Sequence, residues 1–193
     1  MGFDHNEHYH ELLIREIPAG AKKALDVGCG TGAFARRLAG RGLEVDAIDT
    51  SAVLGEDLPT AVRFRRCDIT TAELPERHYD VIFCLASIHH VPFATVTRLR
   101  RALVPGGRLA ILGLYRESTL ADRLVSLTAV PANAVARLAA VRTKSVGPRP
   151  TVAEPAMTLP EVRAAAADLL PGATIRRLLF WRYLLLFTEP PQA

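Results

Sequence analysis

A glycine-rich loop between a short apolar segment and a helical pattern places the strongest constraint on the fold of this chain. Residues 24–39 read ALDVGCGTGAFARRLA, in which Gly28, Gly30 and Gly32 stand at alternate positions. Glycine reaches positive φ angles and carries no Cβ, so a ligand can lie directly against the backbone of such a loop. Open α/β sheets bind their ligands at the carboxyl ends of their strands. The pattern therefore predicts a ligand site where the first strand of an α/β sheet ends.

One ligand that fits this loop is a dinucleotide. Gly28, Gly30 and Ala33 match the G-x-G-x-x-G/A pattern, and Asp49 follows at about the spacing expected for a ribose-binding acid. A dinucleotide brings a pyrophosphate, which binds the unpaired N–H groups of a helix N-terminus. This interpretation predicts an NAD-dependent oxidoreductase.

Five segments of the chain resemble, in the same order, the class I (Rossmann-like) S-adenosylmethionine-dependent methyltransferases. LDVGCGTG, with Asp26 two residues before the first glycine, resembles motif I of that family. The further matches are VDAIDTS (45–51), RCDIT (66–70), YDVIFCLASIHHV (79–91) and LRRALVPGGRLAILGL (99–114). The resemblance covers roughly residues 20–115 well and the rest by pattern only. It implies an enzyme that uses S-adenosylmethionine (SAM) as cofactor and releases S-adenosylhomocysteine (SAH).

The resemblance also implies the cofactor contacts. Asp49, at the end of the second strand, would hold the ribose hydroxyls, and Asp68 with Ile69 would border the adenine. SAM also needs a carboxylate near its ammonium group, which Asp26 can supply, although Asp26 can equally cap the loop. The full set of candidate cofactor-binding residues is Tyr9, His10, Asp26, Gly28, Cys29, Gly30, Gly32, Asp49, Thr50, Asp68, Ile69 and Leu85.

The loop after the fourth strand faces the transferred methyl group in this family, and here it contains His89 and His90. Methyl transfer from a sulfonium chiefly requires that nucleophile, methyl and sulfur be held in line. A histidine near its ordinary pKa can accept a proton from a hydroxyl at pH 7. We predict His90 as the catalytic residue ahead of His89, because in an extended loop Ile88 and His90 alternate with His89. Alternatively, one histidine packs inward and the other caps the following helix.

Two segments flank the resemblance and suggest a small-molecule acceptor. The resemblance implies that a predicted helix over about 5–17 covers the cofactor, with Tyr9 and His10 touching SAM or the acceptor. Alternatively, Tyr9 packs on the core and the histidines are solvated.

Residues 118–157 begin with a mostly apolar helical pattern, and the resemblance implies that these added helices form a lid over the acceptor pocket. Its apolar residues can instead bury against the sheet or a second subunit, which leaves a homodimer open. Binding to a membrane surface is a third alternative, which Arg123, Arg137 and Arg142 are too few to favour. The Asn/Asp-Pro-Pro-Tyr motif of nucleobase amine methyltransferases is absent after the fourth strand.

Composition excludes other classes of protein. The chain has 193 residues, of which 49% are hydrophobic, which predicts a single globular domain. No apolar run reaches the ~18 residues that span a bilayer, and the polar N-terminus lacks a secretory signal. The three cysteines show no metal spacing, so we expect no metal site and a reduced, cytoplasmic protein. The net charge is +4, but the arginines are spread along the chain, so nucleic acid binding is not expected.

The order of elements predicts an α/β fold with a doubly wound, mostly parallel seven-stranded sheet in a three-layer sandwich. Residues 51–61 are too few and too rich in Gly and Pro for the usual helix. Thr158 to Glu161 form a capping box that opens the last helix. The predicted strands are 23–27, 43–48, 62–67, 79–85, 108–114, 173–181 and 183–189, the last two forming an antiparallel hairpin at the edge. The resemblance to the methyltransferases implies methyl transfer from SAM to a small molecule as the function; the alternative in a different class is a non-catalytic SAM-binding regulatory or assembly protein.

Overall fold

The computed structural model describes residues 7–51, 58–116, 154–179 and 181–191, and in them a single seven-stranded sheet forms the centre. Its strand order is β3-β2-β1-β4-β5-β7-β6. All neighbours from β3 to β5 are parallel, and β7 runs antiparallel to both β5 and β6. The predicted sheet with its antiparallel terminal strand is confirmed. The strands are β1 (Lys23–Val27), β2 (Glu44–Asp49), β3 (Val62–Arg66), β4 (Tyr79–Leu85), β5 (Leu103–Leu114), β6 (Thr174–Arg177) and β7 (Arg182–Thr188).

Helices cover both faces of this sheet. Within the described ranges they are α1 (Glu7–Ile14), α2 (Ala33–Ala39), α3 (Val96–Ala102) and α4 (Leu159–Leu169), with 3-10 turns at Ile88–His90 and Phe93–Thr95. Side chains of α1 and α2 share one buried cluster with Val45, Phe83 and Leu184 of the strands. Side chains of α3 and α4 share the other, which contains Ile82 and Ile111. Because strand residues alternate between the two clusters, the three-layer sandwich is confirmed.

The capping box at the start of α4 is also confirmed. The Thr158 N–H donates to Glu161 Oε2 at 2.7 Å, and the Glu161 N–H donates to Thr158 Oγ1 at 3.4 Å. These two bonds satisfy donors that the first turn of a helix leaves without partners.

The fifth strand begins earlier than the predicted 108–114, because the Pro-Gly-Gly segment at 105–107, a pattern typical of a turn, lies inside β5. Gly106 has φ +79°, and its N–H donates to the Glu189 carbonyl at 2.9 Å. The Glu189 N–H in return donates to the Gly107 carbonyl at 2.8 Å. The pairing between β4 and β5 shifts register between Tyr79 and Val81. The three residues thus form an irregularity that the strand accommodates, since the C-terminal segment pairs with it from the other side.

Several predictions concern residues outside the described ranges. Residues 5–6 of the first predicted helix, most of the 51–61 segment and most of the predicted lid at 118–157 lie there. The described helices include none with the length and apolar character that a membrane-spanning segment needs.

Candidate functional site

The glycine-rich loop leaves β1 with three left-handed residues in alternation. The φ angles are +73° at Gly28, +53° at Gly30 and +74° at Gly32, a region that residues with a Cβ adopt at a cost. The N–H groups of Gly28 and Cys29 donate to the Ile48 carbonyl at 2.7 and 3.1 Å. These bonds fix the loop against the end of β2, so the carboxyl ends of β1 and β2 form one continuous edge.

Gly28 and Gly30 are required for different reasons. A Cβ on Gly28 would overlap the side chain of Ser87, which follows β4 and donates its Oγ–H to the Val27 carbonyl at 2.6 Å. A Cβ on Gly30 would meet no atom within 4 Å. The missing Cβ of Gly28 therefore leaves room for the Ser87 side chain, whereas Gly30 borders open space in which a ligand can lie.

Asp49 holds this loop in place from the end of β2. Its Oδ2 accepts the Gly30 N–H at 2.8 Å, and its Oδ1 accepts the Ser51 N–H at 2.8 Å. A carboxylate oxygen can accept more than one hydrogen bond, so both oxygens keep acceptor capacity for ligand hydroxyls. The neighbouring Thr50 is exposed, and its carbonyl accepts a bond from Arg66 Nε at 3.0 Å.

Asp26 is the most deeply buried carboxyl group of the site, with only 1% of its surface exposed. Its Oδ2 has no hydrogen-bond partner among the described residues. Burial, followed by repulsion from Asp49, raises the pKa of Asp26 to about 7, and the Ala35 N–H opposes that rise. A buried carboxyl with an unpartnered oxygen is costly unless a donor or a cation faces it.

Cys29 lies beside this carboxyl and is buried. Burial, together with the charges of Asp26 and Asp49, raises the pKa of its thiol well above the ordinary range. The thiol therefore stays neutral at pH 7 and forms part of the wall of the loop rather than a nucleophile.

The predicted adenine side of the site follows β3. Asp68 is exposed, and its Oδ1 accepts the Thr70 N–H at 2.8 Å, which holds the pKa of Asp68 below its ordinary value. The side chain of Ile69 packs in the core. Only the backbone of Ile69 is therefore available to a ligand, while Leu85, half-buried at the end of β4, lies across the edge.

The alternation argument for His90 requires an extended loop after β4, but the loop in the structure is not extended. Residues 88–90 form a 3-10 turn, in which His90 is exposed and His89 is half-buried. The two rings lie 4.0 Å apart between centroids. The reason for preferring His90 is therefore wrong, since a 3-10 turn does not place alternate side chains on opposite faces.

His89 is the histidine that faces the protein interior. Its Nδ1 is buried with no hydrogen-bond partner among the described residues. Burial first, then the charges of His90 and Arg182, lower the pKa of His89 to about 4. The ring is thus neutral at pH 7, and one of its nitrogens can accept a hydrogen bond. It borders a cavity of about 40 Å³ whose other walls are apolar or aromatic: Ile88, Val91, Phe93, Leu114, Ala156, Met157, Val162 and Tyr183.

Tyr9 and His10 are buried in the layer that α1 forms, and they touch different partners. The His10 ring lies 4.8 Å from the ring of Phe34. The Tyr9 hydroxyl donates to the Leu179 carbonyl at 3.2 Å, and the Arg182 guanidinium lies 5.9 Å from the Tyr9 ring centroid. Sequence reasoning missed Arg182 because these contacts join residues about 170 positions apart, and no local pattern signals them.

A larger cavity of about 390 Å³ lies at the opposite edge of the sheet. Its walls include Arg77, which precedes β4, and Leu103, which opens β5. It therefore lies at the amino ends of these strands, away from the glycine-rich loop, and we do not assign the site to it.

The residues at the carboxyl edge fit SAM. Asp26 presents a buried, unpartnered oxygen that can accept from a cationic donor, and Gly30 leaves open space along the loop. Asp49 presents two carboxylate oxygens to that space. A pyrophosphate, by contrast, would lie near two carboxylates that already repel each other.

Comparisons with known proteins agree with this fit. A family profile described as a methyltransferase domain matches residues 25–111. An uncharacterized methyltransferase of Mycobacterium tuberculosis is 37% identical over 192 residues, which cover 96% of each chain.

Two further similarities concern proteins with named substrates or pathways. A ubiquinone biosynthesis O-methyltransferase of Xylella fastidiosa is 32% identical over 139 residues, 66% of this chain and 54% of that protein. A SAM-bound amino pentose methyltransferase from Micromonospora echinaspora, involved in calicheamicin biosynthesis, shares the fold with a TM-score of 0.66. It is 19% identical, and the match covers 97% of this chain and 92% of that one.

Proposed function

Because the chain belongs to the class I SAM-dependent methyltransferases, we propose that it methylates a small molecule held at the carboxyl ends of β4 and β5. SAM supplies an electrophilic methyl carbon on a sulfonium that is already a good leaving group. The protein's own task is then to hold the cofactor, to orient the acceptor and to exclude water.

On the cofactor side, each proposed role rests on a group that the structure leaves available. Asp26 would face the ammonium, because its buried Oδ2 otherwise lacks a partner. Asp49 would hold the ribose hydroxyls while it keeps the Gly30 N–H in place. Asp68 and the backbone of Ile69 would border the adenine. The predicted cover by α1 is supported by Tyr9, which shares a buried cluster with Cys29 of the loop.

On the acceptor side, the observation that carries the proposal is the neutral, inward His89. Ser87, two residues earlier, is packed against Gly28, so the 3-10 turn adjoins the cofactor loop. A neutral imidazole there accepts a hydrogen bond from an acceptor hydroxyl or amine and aligns its lone pair with the methyl group. With a pKa near 4 it is a weaker base than a free imidazole, so orientation rather than full proton removal is its main role.

A small acceptor is supported by the walls around His89 and by the named relatives. The lining of the cavity that His89 borders is mainly apolar with few polar groups, as in small-molecule sites, but its volume of about 40 Å³ accounts for only a small part of an acceptor. The Xylella relative is an O-methyltransferase, and the Micromonospora structure is that of an amino sugar methyltransferase. We propose the predicted segment at 118–157 as the remaining cover of this pocket.

The test is methyl transfer from SAM labelled in the methyl group to a panel of small phenols, carboxylic acids and amines. We expect His89→Ala to lower kcat about 100-fold on the best acceptor, the size of effect expected when a reacting atom is no longer held in position. His90→Ala, the matched control, should stay within about threefold because His90 is exposed. On an acceptor that does not itself titrate in this range, wild-type kcat should stay level from pH 8 down to about pH 5, since His89 remains neutral there.

Other outcomes would overturn the proposal in distinguishable ways. Labelling of RNA or protein but of no small molecule would overturn the acceptor class. Retention of SAH without transfer to any acceptor would favour the non-catalytic interpretation. Equal losses of kcat in the two histidine variants would contradict the role of His89. A fall of wild-type kcat below about pH 6.5 would contradict it as well, since that is the ordinary pKa of a histidine.

A further inference from the structure

The small cavity beside His89 has a second wall that carries a polar group, the side chain of Tyr183 on β7. Of the described residues that line this cavity of about 40 Å³, His89 and Tyr183 are those whose side chains form strong hydrogen bonds. Tyr183 is only 1% exposed, so its ring lies in the interior of the protein. A buried tyrosine hydroxyl ordinarily has a hydrogen-bond partner.

The Tyr183 hydroxyl has no such partner among the described residues. Burial, followed by the electrostatic effect of Cys84, raises the pKa of Tyr183 above the ordinary range, and no hydrogen bond contributes to that shift. The hydroxyl therefore keeps its proton at pH 7 and can donate a hydrogen bond. Tyr79, which is equally buried, shows the ordinary arrangement, since its hydroxyl donates to Asp46 Oδ2 at 2.6 Å.

The absence of a side chain at Gly113 allows the Tyr183 ring to reach this position. Gly113 of β5 pairs with Tyr183, and a Cβ on Gly113 would overlap the tip of the ring and its hydroxyl oxygen. The ring therefore lies across β5 and towards β4, because β5 is the strand between β7 and β4. Since His89 lies in the turn after β4, side chains from β7 and from that turn meet at one cavity.

The cavity thus has two polar groups that the described residues leave unsatisfied. The second is His89 Nδ1, which is buried without a partner. Such groups cost free energy unless a ligand or a water molecule supplies hydrogen bonds. A water needs roughly 10–15 Å³ of cavity volume, so the cavity accommodates a group of the size of a hydroxyl. No described residue of its lining is charged at pH 7, so a carboxylate or an ammonium would be costly there.

We propose that Tyr183 determines specificity for an oxygen acceptor, because its hydroxyl donates to the acceptor's hydroxyl oxygen while His89 accepts the hydrogen bond from that hydroxyl. This inference rests on the proposed function, since it concerns the acceptor that His89 orients. A hydroxyl oxygen has two lone pairs, so one can accept from Tyr183 while the other meets the methyl group. An amine nitrogen has a single lone pair and cannot do both.

The methyl transfer that follows balances without a further reactant. The O–CH₃ bond forms as the S–CH₃ bond breaks, and the electron pair of the broken bond stays on sulfur in SAH. Once the new bond has formed, the hydroxyl proton leaves along its hydrogen bond to His89 and then to water. A protonated ether is a far stronger acid than an imidazolium, even one with a pKa of about 4. Tyr183 keeps its own proton throughout and acts by binding and direction.

The test compares Tyr183→Phe with the wild type on phenols and on anilines that have the same ring, with methyl-labelled SAM. We expect KM for the phenols to rise about tenfold, the loss of one neutral hydrogen bond. Because that bond is present before and during the transfer, kcat should stay within about threefold. KM for the anilines should change less than about threefold. Calorimetric titration of the same phenols into the SAH-loaded enzyme should show the tenfold loss without turnover.

Thermal melting separates this binding role from a structural one. Tyr183→Phe should melt at the wild-type temperature or above, because it removes a buried hydroxyl that has no partner. Tyr79→Phe is the matched control, since it removes an equally buried hydroxyl that does have a partner, Asp46. We expect its melting temperature to fall by about 5 °C. Its acceptor KM should not change, because Tyr79 lies at the amino end of β4.

Several results would overturn the proposal. A lower melting temperature of Tyr183→Phe with unchanged KM would mean that the hydroxyl binds the protein or a trapped water. Equal increases of KM for phenols and anilines would assign the effect to the shape of the ring. Methylation of amines or carboxylic acids alone would overturn the oxygen acceptor and leave the proposed function intact. Transfer to no small molecule would instead overturn the proposed function, and this inference with it.

Discussion

The two halves of the carboxyl edge are built from different kinds of contact. At the ends of β1 and β2, backbone N–H groups bind a carboxylate and a carbonyl that lie about 20 residues away, as Gly30 does with Asp49. At the ends of β4, β5 and β7, the contacts join distant segments, such as Ser87 to Val27 and Tyr9 to Leu179. The half at the ends of β1 and β2, called the cofactor half below, thus depends on a loop geometry that few residue types allow. The half at the ends of β4, β5 and β7, called the acceptor half below, depends on packed side chains. The identity of these side chains can differ between enzymes with different acceptors.

The strongest test of this division is the substitution Asp49→Ala. It removes the proposed ribose contacts and the anchor of the Gly30 N–H. Because hydrogen bonds to a charged group contribute about 1.5–3 kcal/mol each, we expect SAH affinity to fall about 1,000-fold, or about 4 kcal/mol. Isothermal titration calorimetry measures this loss directly.

Asp80→Ala is the matched control for that experiment. Asp80 Oδ2 accepts the N–H groups of Lys22 and Lys23 at 2.8 and 2.9 Å, but at the amino ends of β1 and β4. Its loss should lower the free energy of unfolding by about 1–3 kcal/mol and leave SAH affinity unchanged. If Asp49→Ala binds SAH as the wild type does, the assignment of the cofactor half is wrong.

In the acceptor half, the corresponding test is Gly113→Ala. Gly113 of β5 lies opposite Tyr183 of β7, and a Cβ would overlap the fully buried tyrosine ring. Overpacking of this kind costs about 3 kcal/mol of unfolding free energy, measurable by urea denaturation. SAH affinity should stay within about threefold, because the strain lies outside the cofactor half.

Two controls sharpen the Gly113 result. Gly40→Ala, at the end of α2, has φ −64° and would meet only ordinary contacts at 3.5 Å, so its stability should hardly change. In the Tyr183→Ala background, Gly113→Ala should cost little, since the overlapping ring is gone. Additive losses in the double variant would show that the ring is not the cause.

The cofactor half could be predicted from the sequence because its constraints are local. Glycines at alternate positions and an acid at the end of the next strand mark the loop and its anchor without knowledge of the fold. The strands were also predictable, since the apolar run of β4 and the alternation of Val62 and Phe64 in β3 are local patterns. The capping box of α4 is likewise a four-residue signal.

The acceptor half could not be predicted in the same way. The conformation of Ile88–His90 depends on the packing of Ser87 against Gly28, so the sequence did not reveal that His89 turns inward. The place of Arg182 beside Tyr9 and His89 depends on the pairing of β7 with β5. The Pro-Gly-Gly segment is typical of a turn, yet its partner at Glu189 keeps it in the strand.

The smallest expected effect is the pH dependence that Asp26 gives to stability. The pKa of Asp26 is about 7 in the folded protein and near 3.9 in an unfolded chain. Between these values the folded state binds the proton more tightly, so the free energy of unfolding falls as the pH rises from about 4 to 7. Asp26→Asn stays neutral and loses this dependence. Without cofactor, its stability relative to the wild type should therefore increase by about 2 kcal/mol from pH 5 to pH 8.

Asp46 is a second buried carboxyl group, and its pKa is shifted in the direction opposite to that of Asp26. It is also buried, which raises its pKa, but hydrogen bonds from Arg63 and from the Tyr79 hydroxyl outweigh burial and hold the pKa below its ordinary value. Asp46 therefore favours folding at neutral pH, whereas ionised Asp26 opposes it until a cation faces it. Saturating SAM should then reduce the difference between Asp26→Asn and the wild type at pH 8. A difference that does not change with pH would mean that Asp26 is already ionised at pH 5 and that the loop itself compensates its charge.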